Sequence, residues 1–138
     1  MSYILNLETA TKNCSVSLAK DGKTIFCKEM AEQGYSHAEK LHVFIEEILK
    51  EVKVDFSEIK AVAVSKGPGS YTGLRIGVSA TKGLCYALGI PLISLDTLAV
   101  LASQVQVNEG LIIPMIDARR MEVYSAIFDK NHNKIKDV

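Results

Sequence analysis

The sequence has little cysteine, little histidine and no surplus of charge of either sign, and each scarcity removes a class of function. Its three cysteines, Cys14, Cys27 and Cys85, are odd in number and widely spaced. That pattern suits neither a disulfide framework nor the paired spacing of a zinc site, so they read as reduced cytosolic thiols that pack. Sixteen basic residues balance sixteen acidic ones, so the whole-molecule field that draws proteins onto nucleic acid or anionic membranes is missing. Any nucleic-acid contact must then be local or made through a partner. No apolar run approaches membrane-spanning length, and residues 1–6 lack the basic region and long apolar core of a signal peptide. The expectation is a cytoplasmic protein without membrane contact. No short-period repeat or low-complexity segment is present. The 138 residues, 48% of them hydrophobic, can bury one ordinary core with little left for a complete second domain.

Three β-prone runs, at 3–7, 14–19 and 23–30, predict antiparallel strands, the last two joined by the hairpin step Asp21-Gly22. Ser36-His37-Ala38-Glu39 fits a capping box, and Ala38, Leu41, Ile45, Ile48 and Val52 continue with helical spacing. Residues 59–65 form a short apolar run of the kind found in central parallel strands. A turn-forming loop at 66–73 follows, then a helix from about 73 to 88, ended by Gly89 and Pro91. Residues 91–95 predict another buried strand, and Asp96 or Thr97 can cap a helix through 98 to about 104. The unit is α/β. From 111 the pattern changes: 111–117 and 122–129 read as two strands around Ala118-Arg119-Arg120, the opening hairpin of another sheet. This divides the chain into a lobe at 1–106 and the start of a second at 107–138, whose last residues are a polar tail. With no helix left to cover that hairpin, the reading expects a fragment of a longer protein, or strands covered by a neighbouring chain.

The residues that could carry chemistry are few. A peptidase needs an activated nucleophile beside a base, or a metal-bound water. His37 and His42 are five apart, about 140° around a helix of 3.6 residues per turn, whereas zinc helices use a four-residue step. They read as a cap neighbour and a partly exposed histidine, and His132 in the tail reads as surface. Gly67, Gly69 and Gly73 are spaced G-x-G-x-x-x-G, one residue off the dinucleotide fingerprint, and no glycine precedes Lys-Ser or Lys-Thr as a P-loop requires. Two readings of this loop stay open. It is a sharp turn in which Pro68 fixes φ and the glycines allow close backbone approach, or a weak anion site made by N–H groups leading into a helix. On the helix that follows, Gly73, Gly77, Ala80 and Ala87, with Leu84 among them, recur at three- and four-residue steps. They leave a low face suited to pairing with another helix, or to packing on the chain's own sheet. Leu74, Val78, Cys85 and Leu88 lie on a partly different side and can supply the sheet contact. Arg75, Lys82, Arg119 and Arg120 read as solvated surface, or as contacts to acidic groups or RNA phosphate.

The stretch 66–84, Lys-Gly-Pro-Gly-Ser-Tyr-Thr-Gly-Leu-Arg-Ile-Gly-Val-Ser-Ala-Thr-Lys-Gly-Leu, resembles the signature of the TsaB (YeaZ) family. Residues 4–10 (Ile-Leu-Asn-Leu-Glu-Thr-Ala), 36–39 and 117–124 (Asp-Ala-Arg-Arg-Met-Glu-Val-Tyr) agree, so the resemblance spans nearly the whole chain. It implies an α/β fold of the actin, Hsp70 ATPase and sugar-kinase group (ASKHA, ribonuclease H-like): a mixed five-stranded sheet with helices, plus the start of a second similar lobe. It also implies a non-catalytic partner that dimerises with and activates the TsaD transferase in making N6-threonylcarbamoyladenosine in tRNA. The ATPase TsaE joins the pair, a homodimer competes with it, and tRNA is touched only indirectly. The family's pairing surface lies on the first two helices, which maps here to Ser36, His37, Leu41, Tyr71, Gly73, Leu74, Gly77, Ala80, Thr81 and Leu84. ATP-binding relatives hold phosphate on two hairpins. Here the first offers Glu8, Thr9 and Thr11, with Gly67 and Gly69 beside it and glutamate where aspartate is usual; the second, Asp117-Ala118-Arg119, lacks the glycine. The resemblance therefore implies no catalytic residue, no metal and no firm cofactor, leaving room only for ATP or ADP at the boundary with TsaD. The alternative is an ATP-binding enzyme of the same superfamily, or the glycoprotease of older labels.

Overall fold

Residues that alternate between apolar and polar make the first strands half-buried, and their register stacks the apolar members. The computed structural model describes residues 2–31 and 37–137. Strand β1 (Tyr3–Glu8) pairs antiparallel with β2 (Asn13–Lys20), which pairs antiparallel with β3 (Lys23–Ala31). Leu5 faces Leu18 and Leu7 faces Val16, and all four are buried. β1 also pairs in parallel with β4 (Ile59–Gly67), which pairs in parallel with β5 (Leu92–Asp96), so the sheet order is β3-β2-β1-β4-β5. This is the mixed five-stranded sheet expected of an actin-like lobe.

Helix α1 (His37–Val52) lays Leu41, Phe44, Ile45, Ile48 and Leu49 on that sheet face, in one cluster with Leu5, Leu7, Val16, Leu18, Val62 and Val64. Burying each such aliphatic side chain contributes about 1.5–3 kcal/mol. The capping residue Ser36 lies outside the described residues. Helix α2 (Tyr71–Leu88) packs mainly on β4 and also against α1. It starts two residues before the expected position, because the Ser70 side chain accepts from the Gly73 N–H and so caps it.

Two expectations need correction. β5 is exposed along its length rather than buried, since it is the edge strand of the sheet and an apolar run looks the same at an edge as in the middle. The hairpin is shorter than read: β6 (Met115–Arg119) pairs with β7 (Glu122–Ser125). Pro114, which has no N–H to give a ladder, separates β6 from an isolated bridge between Ile112 and Phe128. The polar tail itself carries a strand, β9 (Lys134–Lys136), paired with β8 (Ile127–Phe128).

Helix α3 (Thr97–Ser103) contacts β4 and β5 and joins Leu98 and Ala102 to Ile112, Ala126 and Phe128 in a second cluster, so the hairpin region rests on α3. Asp96 caps α3, its Oδ1 accepting from the N–H of Leu98 at 2.9 Å and Ala99 at 3.4 Å, while Lys134 Nζ sits 2.5 Å from Oδ2. Partial burial would raise its pKa, but the Lys134 hydrogen bond and the two helix N–H groups outweigh it, and the carboxyl titrates below its ordinary value. A depressed folded pKa means stabilisation that is present above the unfolded pKa and lost as pH falls through the folded one. Asp96→Ala is therefore expected to cost about 1 kcal/mol at pH 7, with the gap to the parent closing as the pH drops below about 4. Urea unfolding at both pH values checks this, and an equal gap at low pH contradicts it.

Candidate functional site

The first candidate is the glycine loop, and its geometry is that of a lock. Pro68 follows a cis peptide, and Gly67 and Gly69 have φ of 127° and 159°. Ser70 donates its backbone N–H to the Ala10 carbonyl at 2.6 Å, and Gly67 donates to Thr97 Oγ1 at 3.2 Å. Thr9, almost wholly buried, donates Oγ1–H to the Gly73 carbonyl at 2.6 Å. A Cβ on Gly69 would press on Ala10, one on Gly73 would run into the Thr9 carbonyl oxygen, and one on Gly77 would run into Thr9 Oγ1. The glycines thus let α2 and the loop sit directly on the β1–β2 turn.

This placement bears on the expected phosphate-binding set. The N–H groups of Gly67, Ser70 and Gly73 are spent on partners within the chain, Thr9 Oγ1 is spent on α2, and Thr11 Oγ1 accepts from Asn13 N–H at 3.3 Å. Glu8 stands at the end of β1, where its Oε1 accepts from Ser65 Oγ at 2.9 Å and its Oε2 is buried without a hydrogen-bond partner among the described residues. Thr9 and Gly69 are drawn into the interlock at the β1–β2 turn, and Glu8 sets a carboxylate at the end of β1, which is poor chemistry for holding phosphate.

The second candidate is the outer side of α1 and α2, and here several expected pairing residues turn inward. Gly73, Gly77 and Thr81 are buried against the chain's own sheet with Cys85, and Thr81 Oγ1 donates back to the Gly77 carbonyl at 2.8 Å. Leu41 is fully buried under α1. These four are corrected from pairing surface to core: the stripe that approaches closely meets β1 and β4, because Thr9 needs the room. Ser36 lies outside the described residues, and His37 starts α1. Tyr71 stands exposed, with Leu74, Ala80 and Leu84 half-buried.

Between α1 and α2 runs an open groove of about 640 Å³, with His42 on the α1 side and Thr72, Arg75, Ile76, Ser79, Ala80, Gly83 and Leu84 on the α2 side. The sequence reading missed His42, Thr72, Ile76, Ser79 and Gly83. Gly83 carried a signal, since it is a helix-interior glycine out of step with the Gly73-Gly77-Thr81 stripe. On the same helix Tyr71 and Tyr86 are exposed, and the guanidinium of Arg75, which lines the groove, lies 5.3 Å from the Tyr71 ring centroid. Aromatic and arginine side chains around a shallow apolar groove are the usual anchors of a protein interface.

Other reactive groups are quiet. Burial pushes the thiols of Cys14, Cys27 and Cys85 up, for Cys27 with help from Glu29, and for Cys85 against a weaker opposing hydrogen bond from the Val62 backbone. No three His, Cys, Asp or Glu side chains among the described residues gather where a metal ion could sit. No helix among them is long and apolar enough to cross a membrane.

Comparison with known proteins gives a consistent picture. The family model for TsaD, tRNA N6-adenosine threonylcarbamoyltransferase, matches residues 29–138. The tRNA threonylcarbamoyladenosine biosynthesis protein TsaB of Escherichia coli (strain K12) is 34% identical over 134 residues, covering 96% of this chain and 57% of that protein. Its counterpart in Buchnera aphidicola subsp. Acyrthosiphon pisum is also 34% identical, covering 97% and 61%. A solved structure of YeaZ from Pseudomonas aeruginosa superposes with a TM-score of 0.86 at 30% identity, over all of this chain and 65% of that one. The chain spans about three-fifths of the length of the curated relatives it matches.

Proposed function

We propose, from the premise that this chain belongs to the TsaB (YeaZ) family within the group the TsaD family model describes, that it is a non-catalytic partner in making N6-threonylcarbamoyladenosine in tRNA. On this reading it acts in the cytoplasm by docking a TsaD-type transferase on the α1–α2 groove. A TsaE-type ATPase joins the pair, a second copy of the chain competes for the same groove, and residues 107–138 begin a second lobe.

The observation that carries the reading is Gly83. A glycine inside a helix costs about 1 kcal/mol against alanine, and Gly73 and Gly77 offset that cost by fitting over Thr9. Gly83 has no such reason, for nothing lies within 4 Å of where its Cβ would be. It keeps the floor of the groove low enough for a partner helix to approach closely. Catalysis then resides on the partner, while this chain supplies shape.

The test is formation of threonylcarbamoyladenosine on tRNA by a TsaD-type transferase with its ATPase and substrates, with and without the chain in its full-length form. Product that depends on the chain supports the accessory role. Equal product without it overturns the role.

A further inference from the structure

Turns that join paired strands through left-handed residues normally use glycine or asparagine, because a side chain at positive φ crowds the neighbouring carbonyl. The β6–β7 turn departs from this three times in succession: Arg119, Arg120 and Met121 have φ of 68°, 55° and 61°. Asp117 Oδ1 accepts from the backbone N–H of Arg119 at 2.8 Å, so its carboxylate supports the turn. Arg119 pairs with Glu122 across the hairpin, yet neither arginine makes an ion pair among the described residues. Both are exposed and Met121 is fully so. Their exposure leaves these three side chains little to give the fold, and asparagine or glycine would take the same backbone shape with less strain. Strain of this kind persists where it serves a contact outside the chain.

Against the indirect contact that the resemblance implies, we propose that this tip is a phosphate-binding finger that holds the tRNA backbone while the modification is made, an inference that rests on the function proposed above. A guanidinium fork matches two phosphate oxygens. The tip exposes two adjacent guanidinium groups, which suits the repeated phosphates of an RNA backbone. It is also the local contact that a chain of zero net charge permits. Being made to phosphate, the contact positions the RNA without reading its sequence.

The test is fluorescence anisotropy of an unmodified tRNA transcript titrated with the chain alone over a range of salt, so the outcome does not depend on whether a transferase docks. Two double variants separate charge from strain. Arg119→Asn with Arg120→Asn is expected to weaken binding about tenfold, to lower the log–log salt slope by about 2, and to raise Tm by about 3 °C or more. Arg119→Gln with Arg120→Gln weakens binding equally without the gain in Tm. Unchanged tRNA affinity in both pairs overturns the proposal, as does an Asn pair that gains no stability. Displacement of the tRNA by a polyglutamate peptide at equal charge concentration also overturns it, since it reassigns the tip to an acidic protein.

Discussion

Gly83→Trp is expected to leave the chain folded while weakening its association with a TsaD-type transferase at least about a hundredfold, equivalent to about 2.7 kcal/mol. The two halves of this result come from the same geometry. Gly83 is exposed in the middle of α2 with open space around its Cβ position, so a side chain there leaves the helix without a clash, and replacing a helix-interior glycine raises helix propensity. The same indole occupies the groove beside His42, Ile76, Ala80 and Leu84, where a partner helix would have to lie. Titration calorimetry gives the affinity and a thermal melt gives the stability. Affinity like the parent's, with Tm unchanged, would mean that the groove is not the docking surface. The equivalent change at Ala80 is a weaker probe, since Ala80 packs against the core cluster and its enlargement mixes unfolding with lost pairing.

Gly73→Ala should do the opposite, damaging the fold without touching the groove. The added methyl collides with the backbone carbonyl of Thr9, which directly follows β1 and cannot swing aside as a side chain would. α2 must lift from β1, straining the Thr9 hydrogen bond to the Gly73 carbonyl. Overpacking of this kind costs about 3 kcal/mol, or a Tm lower by about 10 °C for a chain of this size. Urea unfolding measures it, and a cost below about 0.5 kcal/mol would show that α2 is not seated on Thr9 as described.

These two glycines also show how far the sequence could be read. Strand and helix order was legible because alternation, the Asp21-Gly22 turn and the 41-45-48 stripe are local signals. The small-residue stripe of α2 was legible as a stripe, but spacing alone does not say whether it meets a sheet or a partner. What decides is Thr9, sixty-four residues away, which draws Gly73, Gly77 and Thr81 inward and leaves Gly83 outside. The family resemblance pointed to α1 and α2, and four of the residues it named there, Leu41, Gly73, Gly77 and Thr81, lie buried in the chain's own core. The exposure of β5 was not legible, since Leu92, Ile93 and Leu95 would look the same in a central strand. Neither was the left-handed run at Arg119, because arginine and methionine carry no preference for positive φ, so nothing in their identity announces that backbone.

The reconstituted modification reaction, run with the parent chain, with Gly83→Trp and with no chain, tests the central claim most directly. The account predicts threonylcarbamoyladenosine with the parent and almost none in the other two reactions. Equal product in all three would contradict it.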